Sequence, residues 1–263
     1  MVMTGIYREN RISEALSLID SAGLDRMKAP IVSVTGGGGK TSTIRSLAQE
    51  YVKLGNPVVV MTTTHMMAEE RPWFLLEPSA ERMRAILEHY GQVWAGTPAP
   101  GGKMKSVPEE FLEEIWKLQI PVLIEADGAK RLPVKAPADH EPVILPRTTH
   151  LLSVYGLDAV GRRIRDICFR PERVAEILEK DMEERITPED IAELASSGKG
   201  GRKGCPKEAD YIVVLNKADD AADRTTALQI CRRLEKKGIT RILVTSHKEG
   251  RRNDDEDTDK RSR

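Results

Sequence analysis

One short run of this chain brings together unobstructed backbone amides, an ammonium group and two hydroxyls. It consists of Gly36, Gly37, Gly38, Gly39, Lys40, Thr41 and Ser42. Glycine lets backbone N–H groups approach oxyanions without obstruction by a Cβ. Lys40 can place its ammonium between phosphates, and the hydroxyl of Thr41 or Ser42 can reach a Mg²⁺ ion. The run therefore predicts a nucleotide-binding phosphate loop with a magnesium ion.

The residues on either side of this loop predict the elements that position it. An apolar run at 31–34 precedes the glycines and indicates a strand, and apolar residues at helical spacing follow from Ile44 to Val52. A helix that begins at the loop would favour negative charge at its N-terminus. Val34 stands where the strict phosphate-loop pattern has glycine, so the loop begins at Thr35-Gly36. This form resembles the loop of the Mur ligases; the alternative is a turn that only joins a strand to a helix.

A second apolar run, at 58–61, ends in four polar residues, Thr62, Thr63, Thr64 and His65. The run is typical of a buried parallel strand. Ligands of open α/β sheets bind beyond the carboxyl ends of the strands. Thr64 and His65 are therefore candidates for substrate contacts, although threonine is also common in strands for its β-propensity alone.

A third apolar run, at 121–124, is followed by Glu125 and Asp127. An acidic residue at the end of a core strand is the arrangement that holds Mg²⁺ in phosphate-loop enzymes. We expect Thr41 and Asp127 to hold the metal, and Lys40, Glu125 and Asp127 to be the catalytic residues. The alternative is a solvent-exposed turn, because Asp-Gly pairs are frequent in turns.

The segment that follows, residues 132–146, is punctuated by prolines and is too long for a plain connection. Long loops without repeats in compact domains are usually functional. Its polar side chains and a neighbouring lysine are candidates for lining a substrate cleft. These candidates are Lys130, Lys135, His140 and Glu141.

An apolar run at 211–215 leads into Asn216, Lys217, Ala218 and Asp219. In GTPases an N-K-x-D motif after a buried strand reads guanine: the Asp carboxylate accepts hydrogen bonds from the base, and the Asn and Lys brace the ring and the phosphate loop. We therefore expect Asn216, Lys217 and Asp219 to bind nucleotide. The base remains open at this point, because the glycine loop is ATPase-like and the N-K-A-D motif is GTPase-like.

The predicted strands and helices alternate, and the polar loops all begin where an apolar strand ends. This pattern predicts an α/β, P-loop NTPase-like fold with a doubly wound, mostly parallel sheet and helices on both faces. We expect a single nucleotide-binding domain over 1–246, with 162–208 as a small helical insertion. Residues 11–21 are predicted to form an amphipathic helix with Ile12, Ala15, Leu16 and Ile19 on one face. The charged residues 247–263 are predicted to form a disordered tail.

Composition narrows the class of protein further. The chain has 263 residues with 41 basic and 41 acidic side chains, so no overall charge attracts nucleic acid or an anionic membrane. Three scattered cysteines suggest neither disulfides nor a zinc site. Cys205 lies beside Lys203 and Lys207, which would lower the pKa of an exposed thiol. With no membrane-spanning run or signal sequence, we expect a cytoplasmic protein.

Several of these segments occur together in one known family. The segments V-T-G-G-G-G-K-T-S, V-V-M-T-T-T-H-M, L-I-E-A-D-G-A-K, K-A-P-A-D-H-E-P-V-I and V-L-N-K-A-D, in this order, resemble the YqeC family over about residues 10–245. Those proteins are described as accessory or cofactor-biosynthesis proteins for selenium-dependent molybdenum hydroxylases. The resemblance implies a nucleotide-binding protein that matures or inserts a selenium-containing molybdenum cofactor. Its partner would be such a hydroxylase or a cofactor-maturation protein.

Three hypotheses follow for the activity. The first is a Mg²⁺-dependent hydrolase of GTP or ATP. The second is a Mur-ligase-like kinase or ligase that phosphorylates a small substrate. The third is a non-enzymatic chaperone gated by nucleotide. Phosphate release without an acceptor would separate the first two, and binding without turnover would indicate the third.

Overall fold

The structure, a computed structural model, describes residues 3–247. Within that range the strands are β1 Met3–Arg8, β2 Arg11–Ala15, β3 Ile31–Gly36, β4 Val58–Thr62, β5 His65–Met67, β6 Phe74–Leu75, β7 Gln92–Ala95, β8 Thr97–Ala99, β9 Lys103–Lys105, β10 Val122–Glu125, β11 Val134–Lys135, β12 His150–Gly156, β13 Cys168–Phe169, β14 Asp210–Asn216 and β15 Ile242–Ser246. The helices are α1 Leu18–Ser21, α2 Lys40–Lys53, α3 Ala80–Tyr90, α4 Glu109–Lys117, α5 Ile164–Ile167, α6 Pro171–Leu178, α7 Pro188–Ser196 and α8 Ala221–Lys236.

A central sheet of ten strands organises the chain, in the order β2-β1-β15-β14-β12-β3-β10-β4-β7-β6. The eight strands from β15 to β6 are parallel, and β1 and β2 are antiparallel to their neighbours. The strand order reverses around β3, which lies between β10 and β12. Because ligands of open α/β sheets bind at such a reversal, the end of β3 is the expected place for a site.

Helices cover both faces of this sheet, as the alternation along β4 shows. Val58 and Val60 pack with the apolar side chains of α1 and α2, whereas Val59 and Met61 pack with those of α3 and α4. Helices α7 and α8 cover the other half of this second face, against β14 and β15. The predicted α/β class, with a large, mostly parallel sheet between helices, is confirmed.

The predicted helix over 11–21 was wrong. Residues 3–15 form a hairpin, β1 and β2, and only Leu18–Ser21 is helical. The turn residues Glu9 and Asn10 have φ angles of 48° and 63°. Positive φ at both central residues is the geometry of a tight two-residue hairpin turn. The hairpin continues the sheet beyond β15.

Two further regions were singled out from the sequence. Residues 162–208 contain α5, α6 and α7, whose apolar side chains join the core cluster that includes β14 and β15. The assignment of this segment as an insertion remains a prediction. The tail predicted for 247–263 lies, except for His247, outside the described residues. No helix within residues 3–247 has the length and apolar character needed to cross a membrane.

Candidate functional site

The glycine loop is enclosed so tightly that side chains would not fit. A Cβ at Gly38 would meet the backbone nitrogen of Gly156, and one at Gly39 would meet the side-chain amide of Asn216. Gly38 and Gly39 also have φ angles of 70° and 131°, which L-residues rarely adopt. The glycines are therefore required by the close approach of β12 and β14 to the loop.

The amides of this loop fall into two groups. The first three donate within the chain: Gly36 to Asp127 Oδ2 at 3.1 Å, Gly37 to the Val154 carbonyl at 2.9 Å, and Gly38 to the Leu132 carbonyl at 2.9 Å. The amides of Lys40, Thr41 and Ser42 begin α2, where no intrahelical acceptor exists. Within residues 3–247 these three amides donate to no other group. They and the dipole of α2 can therefore receive an anion.

Lys40 is buried at the centre of the site, with 6% of its side chain exposed. Its Nζ donates to the Gly36 carbonyl at 2.6 Å and lies 3.2 Å from Asp127 Oδ1. The ammonium is therefore held directly over the loop. Asp127 also lies 3.0 Å from Lys135 Nζ, so two cations flank one carboxylate.

Thr41 and Glu125 form the second contact at the start of α2. The Thr41 hydroxyl donates to Glu125 Oε2 at 2.7 Å. Burial raises the pKa of Glu125, although the ammonium of Lys40 and the hydrogen bond from Thr41 oppose this effect. The sequence placed Glu125 and Asp127 at the end of β10, and β10 pairs directly with β3. The predicted catalytic and metal-binding side chains therefore lie together.

These side chains fit a magnesium ion. A hydroxyl and two carboxylates are hard oxygen ligands of the kind that Mg²⁺ prefers. Asp127 Oδ1 is buried and accepts no hydrogen bond from residues 3–247, and within that range its charge is compensated by the ion pair with Lys40. No group of three or more His, Cys, Asp or Glu side chains within residues 3–247 could hold a metal by itself. Magnesium at such sites usually takes one or two carboxylates, with phosphates and water as further ligands.

A second charged cluster continues from Asp127. Lys135 Nζ donates to Glu141 Oε2 at 2.7 Å, and Arg170 donates to the same oxygen at 2.8 Å. Burial alone would raise the pKa of Glu141, but these two hydrogen bonds outweigh it and lower the pKa to about 2. The ring of Phe169 lies among three cations, with centroid distances of 5.3 Å to Lys130, 5.7 Å to Lys135 and 4.3 Å to Arg170. We call Lys130, Lys135, Glu141, Phe169 and Arg170 the Phe169 cluster.

The other residues that the sequence suggested for the site differ in their exposure and position. Ser42 and His140 are exposed, and His65 is exposed on a separate small sheet of β5, β8 and β9. Thr64 has a buried hydroxyl that makes no hydrogen bond within residues 3–247. The structure therefore brings Lys130, Lys135 and Glu141 together around Phe169, whereas the side chains of His140 and His65 are exposed.

Asn216 is the last residue of β14, and Lys217 and Asp219 lie in the loop that follows it. Asn216 is buried and its side-chain amide donates to the Gly38 carbonyl at 2.7 Å. Asn216, the first residue of the N-K-A-D motif, is thus bonded directly to the phosphate loop.

Sequence reasoning missed Leu132, Phe169 and Arg170 as parts of the site. Arg170 precedes a proline and has a φ of 62°, and Lys130, Arg131 and Lys217 also have positive φ. Such strained backbone in non-glycine residues tends to occur at functional sites, but the sequence alone does not reveal it.

The pKa expected for an exposed Cys205 does not apply, because the residue is not exposed. Its thiol is half-buried, and burial raises its pKa against the opposing charge of Arg202.

The fold and site together define an α/β protein in which a strand, a glycine loop and a helix N-terminus meet two acidic residues of the neighbouring strand. The family model described as "YqeC protein" matches residues 32–172, more than half of the chain. The chain belongs to the YqeC family. It is also 25% identical over 230 residues to the uncharacterized protein YqeC of Escherichia coli (strain K12), a match that covers 84% of this chain and 89% of that protein.

Proposed function

We propose that this chain binds a nucleoside triphosphate with Mg²⁺ at residues 36–42 and hydrolyses it. The observation that carries the proposal is the meeting of the Thr41–Glu125 contact and the Lys40–Asp127 ion pair at the first turn of α2. Amides available for an anion, a buried ammonium and oxygen ligands for a metal are the parts that phosphoryl transfer needs. Because this chemistry depends mainly on positioning and charge, no further nucleophile is required from the protein.

Each side chain has a role that follows from its position. Lys40 neutralises charge on the terminal phosphates, and Thr41 and Asp127 hold the metal. Glu125, at hydrogen-bond distance from Thr41, orients water or a metal ligand. Bound Mg²⁺ would neutralise charge that develops between the two terminal phosphates.

Release of inorganic phosphate from ATP and from GTP, each with Mg²⁺, tests this proposal. We expect Lys40→Ala to lower turnover by at least about 100-fold, because it removes the ammonium over the loop. Lys53→Ala, at the other end of the same helix, is the matched control and should retain turnover. Equal turnover in the wild type and Lys40→Ala would refute the proposal, as would failure of the wild type to bind either nucleotide.

A second candidate activity is transfer of the phosphoryl group to a small substrate. The Phe169 cluster favours it, because its cations continue directly from Asp127 and could hold an anionic acceptor. A kinase or ligase of this kind would release little phosphate without its acceptor. Tight binding without turnover under any of these conditions would instead support the nucleotide-gated chaperone.

The cellular role that we propose is maturation or insertion of a selenium-containing molybdenum cofactor of hydroxylases. Its support is the resemblance to a family described in those terms. If the role is correct, this chain should co-purify with such a hydroxylase or with a cofactor-maturation protein in a nucleotide-dependent manner. Co-purification that is absent with and without nucleotide would count against it.

A further inference from the structure

Three hydroxyl groups lie side by side at the carboxyl ends of β3 and β12. Thr35 in β3 is the register partner of Ser153 in β12, and Tyr155 follows two residues later on the same face of β12. Tyr155 packs in the cluster that includes α7 and α8, whereas the intervening Val154 packs in the cluster of α2. The three hydroxyls therefore lie on the face of the sheet that is turned away from α2.

Two of these hydroxyls have hydrogen-bonding capacity that the surrounding chain does not use. Thr35 is buried, and its Oγ1 has no hydrogen-bond partner within residues 3–247. The Tyr155 hydroxyl accepts from Ser153 Oγ at 3.2 Å, so its own proton is available for a further bond. Buried polar groups without a partner are costly and are rare in native proteins, so each of these groups needs an explanation.

A small cavity joins the hydroxyls to the Asp127 carboxylate. Thr35, Ser153, Tyr155 and Asp127 all line it, and about 10 Å³ of its volume is open to the centre of a water molecule. That is roughly the space that one buried water needs, and such a water usually makes about three hydrogen bonds. The cavity therefore suits a single water molecule in both volume and polarity.

The ammonium of Lys135 also borders this cavity, but its donors are already used. Its Nζ donates to the Gly128 carbonyl and to Glu141 Oε2, both at 2.7 Å, and lies 3.0 Å from Asp127 Oδ2. These contacts take up the three N–H groups of an ammonium. Asp127 Oδ1, in contrast, accepts no hydrogen bond from the described part of the chain. This oxygen and the two hydroxyls are therefore the three partners for a water.

Gly201 forms one wall of the cavity, at a position where a side chain would fill it. A Cβ on this residue would lie 2.4 Å from the hydroxyl oxygen of Tyr155, 2.6 Å from that of Tyr211 and 2.8 Å from Ser153 Oγ. Gly201 does not have the positive φ that favours glycine, and neither does Gly198 in the same loop, where a Cβ would meet open space. The hydroxyls that Gly201 borders, and not the backbone conformation, therefore explain the glycine.

We propose that this cavity binds one water molecule, which bonds to the hydroxyls of Thr35 and Tyr155 and donates to Asp127 Oδ1. Tyr155 and Thr35 are then positioning residues for the proposed metal ligand. The positioning role rests on the proposed nucleotide site, whereas the water site does not. A phosphate that draws Lys40 away removes the ion pair of Asp127 Oδ1, and the water then keeps the carboxylate in place. Outer partners of this kind orient metal ligands.

A crystal structure of the full chain, at a resolution that shows ordered water, tests the water site without any nucleotide. We expect one water at about 2.5–3.0 Å from Thr35 Oγ1, from the Tyr155 hydroxyl and from Asp127 Oδ1. Gly201→Ala should displace this water, because its methyl group fills the cavity, and the matched control Gly198→Ala should retain it. A wild-type structure without a water at this position would overturn the inference.

Calorimetric binding of ATP and GTP at a series of Mg²⁺ concentrations tests the positioning role. We expect Tyr155→Phe, which keeps the ring and removes the hydroxyl, to raise the Mg²⁺ concentration for half-maximal nucleotide binding by about 10-fold. Binding without Mg²⁺ should not change. The matched control is Tyr211→Phe, whose lost hydroxyl donates to the Ala195 carbonyl at 2.6 Å and does not line the cavity. It should leave the Mg²⁺ dependence unchanged.

The outcomes separate this inference from the proposed function. An equal loss of binding with and without Mg²⁺ in Tyr155→Phe would show a merely structural effect and contradict the positioning role, as would an unchanged Mg²⁺ dependence. Failure of the wild type to bind either nucleotide would overturn the proposed function and the positioning role together. The crystal structure would still decide whether the cavity binds water.

Discussion

Glu141 shows how strongly one buried carboxylate can depend on its neighbours. Lys135 and Arg170 both donate to its Oε2, and Lys135 donates as well to the Gly128 carbonyl. Since Lys135 also lies 3.0 Å from Asp127, Glu141 supports the orientation of a lysine that touches the proposed metal ligand. The carboxylate therefore contributes both to stability and to the geometry of the site.

This arrangement predicts the acid stability of the chain. The pKa of Glu141 is lowered from 4.5 to about 2 in the folded state. Its stabilising contribution is therefore present above pH 4.5 and is lost as the pH falls from 4.5 towards 2. We expect Glu141→Gln to lower the free energy of unfolding at pH 7 by about 3 kcal/mol. Denaturant unfolding at a series of pH values measures this.

The difference between wild type and Glu141→Gln should shrink as the pH falls through that window. Glu88→Gln, an exposed position on α3, serves as the control and should not change the pH dependence. A constant difference between pH 7 and pH 3 would contradict the assignment.

At the scale of single elements, the hairpin of β1 and β2 replaces the helix expected over 11–21. Tyr7 on β1 is buried and its hydroxyl donates to Glu235 on α8 at 2.7 Å. Leu16, which helical spacing placed on the buried face, is fully exposed. Substitutions at Tyr7 and Leu16 can therefore distinguish the hairpin from the helix expected over 11–21.

We expect Tyr7→Ala to lower the free energy of unfolding by about 3 kcal/mol or more, because it leaves a cavity in place of a buried ring. Leu16→Ala should change it by no more than about 0.5 kcal/mol. Thermal or denaturant unfolding of the two variants provides the comparison. A larger effect of the substitution at Leu16 than at Tyr7 would contradict the hairpin and support the helix predicted over 11–21.

The elements that the sequence predicts well are those with a strong local signal. The runs at 31–34, 58–61, 121–124 and 211–215 are short and apolar, as is typical of buried parallel strands, and each coincides with a strand, β10 beginning at Val122. The hairpin lacked such a signal, because Ile12, Ala15 and Ile19 also fit a helical period. Its turn depends on positive φ at Glu9 and Asn10, which sequence spacing does not reveal.

The site shows the same division between local and long-range information. The positions of the glycine loop, of the two acidic residues and of the N-K-A-D motif could be predicted, because each stands at the end of an apolar run. The Phe169 cluster was only partly so, because Arg170 reaches Glu141 across 29 positions of sequence. Contacts of this kind depend on the path that the loops take along the edge of the sheet. The spacing of apolar residues in the sequence does not specify that path.

For the whole molecule, one core connects the sheet with residues 162–208. Ile164, Val174 and Ile191 from this segment pack in the same cluster as Val213 and Val244 of the sheet. We therefore expect a single cooperative unfolding transition, with equal calorimetric and van 't Hoff enthalpies. Differential scanning calorimetry tests this, and two resolved transitions would show that the segment unfolds as a separate unit.

The Leu132 carbonyl, which accepts the Gly38 N–H at 2.9 Å, has a consequence for any ligand that would also use this N–H. An anion that is to accept the same N–H meets an intramolecular competitor. The effective concentration of the Leu132 carbonyl at this N–H is set by the short chain connection from Asp127 and does not depend on the concentration of ligand in solution. The apparent dissociation constant then equals the intrinsic one divided by the fraction of molecules in which Leu132 has withdrawn. A ligand held only through the amides of Lys40, Thr41 and Ser42 would meet no such competitor.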